Sequence, residues 1–403
     1  MKTFKSGLLR FLMLVITGVM PVIAQSGNKN AQTSPTPSVN STPENKIENS
    51  PDNKNLENVQ FVLTDDLKSF LAELNKFGKL GYRVGKAFNY GGDSAEYGQR
   101  FAAVLKKDAE DFFEYDSITS PNRKFIESRL NAKAALGYTV SHILPVTGCF
   151  EKESADDKIE FPAPEIMKRL TKGDIFLLEK RPGQSERLKE YKIFTGKIGV
   201  GKSPTAELQA ALDNAPAGFH PFKVLFNKAG TFDFSVSVLL EKDLRKETAE
   251  KIQYKFFKDV NGFEKEINSL AQAGFQLIAG RRIGLIKFAL LAKVPGDATS
   301  YILLDADKYQ KEFDKKLASG NVYKAMFLGD TSCDEAETIG AKLVFAQTAD
   351  QASKPVYKFV RLTGKKSLPN NDATIIEIRT LLKDGFIIRD IFYAGGVVLI
   401  LEK

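Results

Sequence analysis

A glycine followed by an aromatic residue recurs beyond residue 58, each time after a stretch with the apolar spacing of a helix. A residue just past a helix end often takes the left-handed conformation, which only glycine adopts cheaply. Each pair therefore predicts a helix end followed by a new strand. The pairs are Gly81-Tyr82, Gly137-Tyr138, Gly218-Phe219, Gly274-Phe275 and Gly385-Phe386, with a poorer copy at Gly320-Asn321.

The helical stretches before these glycines carry a single apolar stripe, which must face a sheet or another helix. Apolar and aromatic runs after each pair and before each helix are typical of strands. Several closing runs share an apolar-Glu-Lys ending, and several opening runs begin Tyr-Lys. Examples are Leu177-Leu178-Glu179-Lys180, Leu239-Leu240-Glu241-Lys242, Tyr191-Lys192, Tyr254-Lys255 and Tyr357-Lys358.

The order strand, helix, strand, strand predicts an α+β fold of about six tandem βαββ repeats. We expect mainly antiparallel sheets, each covered by one helix. The copies begin near residues 59, 112, 191, 254, 301 and 356, so repeats 1–2 occupy 59–190, repeats 3–4 occupy 191–300 and repeats 5–6 occupy 301–403. One unit is too small to bury a good core. The units must therefore form three pairs or one continuous array.

The stretch Leu74-Asn75-Lys76-Phe77-Gly78-Lys79-Leu80-Gly81-Tyr82 resembles a short bacterial domain of unknown function. That domain combines a tyrosine-lysine strand, a leucine-asparagine helix that leaves through glycine and an aromatic residue, and a last strand ending in lysine or arginine. The resemblance extends in tandem over most of residues 59–403, although this chain has no tryptophan. It implies no activity.

The first 24 residues have the order of a secretory signal peptide. Lys2, Lys5 and Arg10 precede an apolar run that closes at Ala24, while an uncleaved membrane anchor is the alternative. Residues 25–58 are rich in Asn, Ser, Thr, Pro and Lys and contain no aromatic residue, which predicts a disordered linker. We therefore expect an exported protein, periplasmic or secreted, without a stable membrane span after signal cleavage.

The net charge of +8 includes the three basic residues of the signal segment. The other basic residues are interspersed with acidic ones rather than clustered, whereas a nucleic-acid-binding protein needs a basic footprint. The sequence thus predicts a mixed-charge solvated surface and no nucleic-acid partner.

The chain has two cysteines, Cys149 and Cys333. An oxidising compartment permits a disulfide between them, and two buried free thiols are the alternative. Neither has a neighbouring Cys or His at the spacing of zinc ligands, so no metal site is expected.

The stretch Gly196-Lys197-Ile198-Gly199-Val200-Gly201-Lys202-Ser203 fits the P-loop pattern of nucleotide-binding proteins. In that interpretation Gly196 and Gly201 shape a phosphate cradle, Lys202 reaches the phosphates and Ser203 holds magnesium. P-loop folds need a parallel sheet, and Pro204 after Ser203 is typical of a helix start. The sequence therefore favours a flexible link between repeats, with no cofactor.

No catalytic constellation stands out. His142 and His220 are isolated. Arg281-Arg282 after Gly280 is typical of a solvated turn, and anion binding is the alternative. We expect a non-catalytic exported binding or structural repeat protein of the bacterial cell envelope. Its partner would be an envelope or extracellular protein, peptide or glycan. The alternatives are a nucleotide-binding enzyme that uses the Gly196–Ser203 loop, and an envelope hydrolase.

Overall fold

The computed structural model describes residues 58–90, 100–108, 111–119, 125–144, 174–198, 204–228, 234–246, 250–259, 262–283, 286–296, 298–327, 330–331, 338–339, 341–348, 355–362, 372–393 and 397–403. All of them belong to one compact unit. The predicted signal peptide and linker lie outside these ranges, except for Asn58 at the end of the linker. None of the described helices is long and apolar enough to cross a membrane.

Six α-helices lie in the described ranges, one in each repeat. They are α1 (Leu67–Gly78), α2 (Ile126–Ala134), α3 (Pro204–Asp213), α4 (Phe263–Gln272), α5 (Tyr309–Ala318) and α6 (Ala373–Lys383).

Each helix is accompanied by three strands, which we call the first, second and third strand of the repeat. The strands of repeats 1 to 3 are β1 (Val59–Thr64), β2 (Tyr82–Tyr90), β3 (Arg100–Lys107), β4 (Glu114–Thr119), β5 (Thr139–Leu144), β6 (Ile175–Lys180), β7 (Lys189–Ile198), β8 (His220–Lys228) and β9 (Phe234–Asp243). Those of repeats 4 to 6, with a small hairpin β15–β16, are β10 (Tyr254–Asp259), β11 (Gln276–Ile283), β12 (Ile286–Ala292), β13 (Ala298–Asp305), β14 (Val322–Phe327), β15 (Asp330–Thr331), β16 (Thr338–Ile339), β17 (Lys342–Thr348), β18 (Tyr357–Leu362), β19 (Ile387–Tyr393) and β20 (Val397–Glu402).

The third strand of every repeat lies in the middle of a three-stranded antiparallel sheet. In repeat 1, for example, β3 pairs with β1 on one side and with β2 on the other. The first and second strands are thus parallel to each other, and the helix crosses from one to the other. The predicted fold class, six βαββ repeats with antiparallel sheets and one helix each, is confirmed.

The glycine of every predicted helix exit has a left-handed backbone, with φ between 81° and 91°. This includes Gly320, the poorer copy in the sequence. At Gly137 a side chain is also excluded by space, because a Cβ would lie 2.3 Å from the backbone oxygen of Gln184. The prediction that glycine ends each helix is confirmed for all six repeats.

Each helix packs on its own sheet and on the sheet of the next repeat, so neighbouring repeats share one core. In the first of these cores, Phe70 and Leu74 of α1 join Phe113, Tyr115 and Leu177 of repeat 2. The next four cores follow the same rule, with helix residues Leu130, Leu208, Ile267 and Phe313 packed with Tyr191, Tyr254, Tyr301 and Ile400 of the following repeats. The sequence left open three separate pairs of repeats or one continuous array, and these shared cores show a continuous array.

The array closes on itself. Ile375 and Ile378 of α6 share a core with Phe61 and Val104 of repeat 1, just as each other helix does with its successor. The ammonium group of Lys86 in β2 also donates to the backbone oxygen of Arg389 in β19, at 3.1 Å. Repeats 6 and 1 are therefore neighbours, and the six repeats form a closed ring. We call the contact between repeats 6 and 1 the seam.

Candidate functional site

The second strands of the repeats line the inside of the ring. Contacts join β2 with β5, β8 with β11, β11 with β14 and β14 with β19. Each second strand carries a register shift against its third strand, and a shift of this kind bends a strand and redirects its side chains. The extra residue is always the fourth after the helix-exit glycine: Gly85, Ser141, Phe222, Ile278, Lys324 and Arg389.

A tyrosine from the first strand of the next repeat fills the gap that the register shift leaves. The N–H of Val84 donates to the hydroxyl of Tyr115, and that of Val140 donates to Tyr191, both at 2.9 Å. Leu277 donates to Tyr301 in the same way. A buried N–H without a partner is costly, so the tyrosine stabilises both the bulge and the junction. This explains why several repeats open with tyrosine.

A buried glutamate joins the first of these junctions. Glu179, at the end of the Leu-Leu-Glu-Lys run, accepts from the hydroxyl of Tyr115 at 3.3 Å and from Nε of Arg83 at 2.9 Å. Burial raises the pKa of Glu179, and Arg83 opposes that shift. Burial also raises the pKa of Tyr115, so the phenol stays protonated as a donor.

Substituting Tyr115→Phe is expected to lower the free energy of unfolding by about 1–3 kcal/mol, because Val84 N–H and Glu179 lose a buried partner. The matched control is Tyr357→Phe in repeat 6. The hydroxyl of Tyr357 is buried without a hydrogen-bond partner among the described residues, so its removal should cost less than about 0.5 kcal/mol. Urea denaturation measures both, and equal losses would contradict the assigned role of the hydroxyl.

An amide side chain on the helix holds the edge of the next sheet. Asn75 donates to the backbone oxygen of Tyr115 and accepts from its N–H, both at 2.9 Å. Asn131 makes the same pair of hydrogen bonds with Tyr191, and Asn268 does so with Tyr301. The first strand is a sheet edge, and an edge with free backbone groups invites strand pairing with other chains. The asparagine occupies the N–H and C=O of one residue, the tyrosine, on that edge.

Charged side chains from several repeats meet where the second strands converge. Lys86, His142, Lys223 and Asp390 are each the fifth residue after their glycine, and Lys324 and Arg389 are bulge residues. Besides the bond from Lys86 to the backbone of Arg389, Nη2 of Arg389 donates to the backbone oxygen of Lys324 at 3.3 Å. We call these six residues the axial cluster.

Two carboxylates accompany these cations. Asp390 accepts from the hydroxyl of Tyr323 at 3.0 Å, and Glu402 lies 3.4 Å from Nε of Arg389. Burial lowers the pKa of Lys86; Asp390 opposes the shift, while Lys223 and Arg389 add to it. Four of the six residues of the axial cluster are basic and one, Asp390, is acidic; Glu402 adds a second carboxylate beside Arg389.

His142 contributes no charge to the axial cluster at neutral pH. Burial lowers its pKa to about 4, and the positive charges of Lys86 and Lys223 act in the same direction. A hydrogen bond with the backbone of Gly85 opposes the shift. Its Nδ1 atom is buried and has no hydrogen-bond partner among the described residues.

The P-loop-like motif is placed only in part. Gly196 and Lys197 lie in β7, which continues to Ile198, and Gly196 pairs with Val236 of the antiparallel strand β9. Gly201, Lys202 and Ser203 lie outside the described residues. The motif connects the first strand of repeat 3 with the helix of the same repeat. The prediction of a link between repeats is therefore wrong. The first part of the motif belongs to strand β7.

The remaining candidates from the sequence are the two cysteines, His220 and the arginine pair. Cys149 and Cys333, and with them the choice between a disulfide and two free thiols, lie outside the described residues. His220 is exposed at the start of β8. Arg281 and Arg282 lie in β11 opposite Phe288 and Lys287, so the prediction of a turn is wrong there.

Within the described ranges, no group of three or more His, Cys, Asp or Glu side chains is placed to hold a metal ion. Comparison with known proteins found no matching family model, no matching curated protein and no matching solved structure. The axial cluster does not stand out in the sequence, because its members are far apart in the chain. Aligning the repeats on their helix-exit glycines would have shown four of its members at one position.

Proposed function

We propose that this protein is a non-catalytic, exported binding or structural repeat protein of the bacterial cell envelope, and that it contacts its partner through one end of each repeat. The signal-like segment 1–24 and the repeated architecture support this proposal. Repeat proteins present extended surfaces built from equivalent positions of their units.

The proposal rests on the lengths of the connections between helices and strands, which vary most at one end of the repeats. The first and second strands are parallel, so both finish at the same end of the repeat, which we call the link end. Connections from the link end differ widely between repeats: β5 ends at Leu144 and β6 begins at Ile175, whereas β11 ends at Ile283 and β12 begins at Ile286.

At the opposite end, where helices and third strands finish, the length of the connection between helix and second strand varies less. Three residues separate the helix from the second strand in repeats 1, 4, 5 and 6, as between Gly78 and Tyr82 or between Lys383 and Ile387. In repeat proteins, insertions commonly map to one face, which is often the binding face. Rigid scaffolds likewise tend to carry binding residues on their connecting loops. The link end is therefore the proposed partner face.

The test is retention of a component from solubilised envelope fractions on the immobilised full chain, followed by binding of that component in purified form. Replacing residues 151–172, which belong to the longest connection from the link end, with a short Gly-Ser segment is expected to abolish binding. The control is Leu136→Glu at the opposite end, where Leu136 is 57% exposed; it should leave binding unchanged. Loss of binding only in Leu136→Glu would overturn the assigned face. Failure to retain any component, together with turnover in an enzyme screen, would overturn the function.

A further inference from the structure

The second strands bring like charges together at the centre of the ring. Lys86 belongs to repeat 1, Lys223 to repeat 3, Lys324 to repeat 5 and Arg389 to repeat 6. Lys86 and Lys223 come from repeats that are not adjacent, and each lowers the pKa of His142, which lies in the repeat between them. Lys86 and Lys223 are therefore close enough to act on one group, and Lys223 and Arg389 both act on Lys86.

Burial and the like charges of Lys223 and Arg389 disfavour the charged form of Lys86, so a nearby anion would stabilise that form. Like charges repel, and the repulsion is strong where burial reduces solvent screening. Lys86 is half-buried, and its ammonium group donates to the backbone oxygen of Arg389. Among the described residues it forms no ion pair, although Asp390 acts to raise its pKa. Asp390 and Glu402 balance part of the charge, but Asp390 also accepts the hydroxyl of Tyr323.

Both kinds of donor in the axial cluster, lysine and arginine, bind oxyanions. Lysine supplies a point charge with rotatable donors, and arginine supplies a planar fork that matches the geometry of carboxylates and phosphates. Lys223 and Arg389 are exposed, so a ligand in solvent can reach them.

We propose that the axial cluster binds a small polyvalent oxyanion, a group that carries at least two negative charges on phosphate or carboxylate oxygens. Lys86, Lys223 and Arg389 supply the charge-assisted hydrogen bonds. The site goes beyond the proposed envelope function and does not depend on the link end.

The direct test is calorimetric titration of the full chain at low ionic strength, with pyrophosphate and citrate as probes. One saturable site is expected, weakened by added salt and weakened on the order of tenfold in Lys223→Met, which equals roughly 1.4 kcal/mol. The control is Lys255→Met, because Lys255 is exposed on the first strand β10, and it should leave the affinity unchanged. Binding of pyrophosphate alone identifies a phosphate source and binding of citrate alone a carboxylate source; either result, or binding of both, supports the site.

A second measurement needs no destabilising variant. The pKa of Lys86 can be followed by NMR of the lysine side chains in the unsubstituted chain, with Lys86→Arg used only to assign its signal. A bound anion favours the charged ammonium, so the probe should raise the pKa of Lys86, and affinity should fall as the pH rises through that pKa. Absence of saturable binding by both probes, equal weakening in Lys255→Met, or an unchanged Lys86 pKa with bound probe would overturn the proposal.

Discussion

Phe313→Ala is expected to lower the free energy of unfolding by about 3–5 kcal/mol, which is the usual cost of removing a fully buried aromatic ring. Phe313 has no exposed surface and lies between repeats 5 and 6. Its ring centroid is 4.9 Å from that of Phe345, 4.8 Å from that of Phe359 and 5.2 Å from that of Tyr357. Aromatic pairs at these separations add stability beyond the area they bury. Urea denaturation of the full chain measures the loss.

The control for this substitution is Phe112→Ala. The Phe112 side chain is 56% exposed, so its removal should change stability by less than about 0.5 kcal/mol. Two results would contradict this prediction: a loss below about 1.5 kcal/mol in Phe313→Ala, or similar losses in both variants. Either would show that the neighbouring side chains fill the space left by the ring, or that the junction between repeats 5 and 6 contributes little to stability.

Ile378→Ala is expected to cost about 2–5 kcal/mol and to open the ring at the seam. Ile378 is fully buried in α6 and packs in the core that repeats 6 and 1 share. Repeats 6 and 1 are not consecutive in sequence, whereas every other pair of neighbours is joined by a short connection. A short connection keeps two surfaces at high effective concentration, and the seam lacks that advantage. In Ile378→Ala, amide hydrogen exchange should therefore become faster in α6 and β1, while exchange in repeats 3 and 4 remains slow.

The matched control is Ile267→Ala in α4. Ile267 is also fully buried and stands seven residues before its helix-exit glycine, as Ile378 does. Ile267→Ala should lose a similar amount of stability to Ile378→Ala. In Ile267→Ala, however, the amides of α6 and β1 should exchange only through global unfolding and not through local opening of the seam. If the two variants show the same exchange pattern, the seam is as firmly closed as the inner junctions.

The repeat order was predictable because its signals are local. Glycine at a left-handed position ends each helix, and apolar spacing distinguishes helix from strand without knowledge of the neighbours. The ring was not predictable in this way. The stripe on α1, with Phe70 and Leu74, would look the same in a closed pair, an open array or a ring. Which sheet covers the second side of a helix is decided by contacts far apart in the chain.

Two local expectations failed because pairing in a sheet overrides residue preference. Gly196 and Lys197 belong to β7 since β9 continues alongside them, although glycine weakens strands. Arg281 and Arg282 are drawn into β11 by β12. The axial cluster was not predictable for a related reason: Lys86, Lys223 and Arg389 lie in the sheets of three different repeats, and those of Lys86 and Lys223 are not adjacent.

The seam also has a consequence for how the chain folds. Each inner junction joins segments a few tens of residues apart, whereas the seam joins segments roughly seven times farther apart, which adds on the order of 2 kcal/mol of loop-closure entropy. Contacts between distant segments form late and slowly. Until the seam forms, the apolar stripe of α6 and one face of the first sheet lack their native cover. During that interval two chains can exchange these surfaces, so domain swapping and assembly of larger rings would begin there.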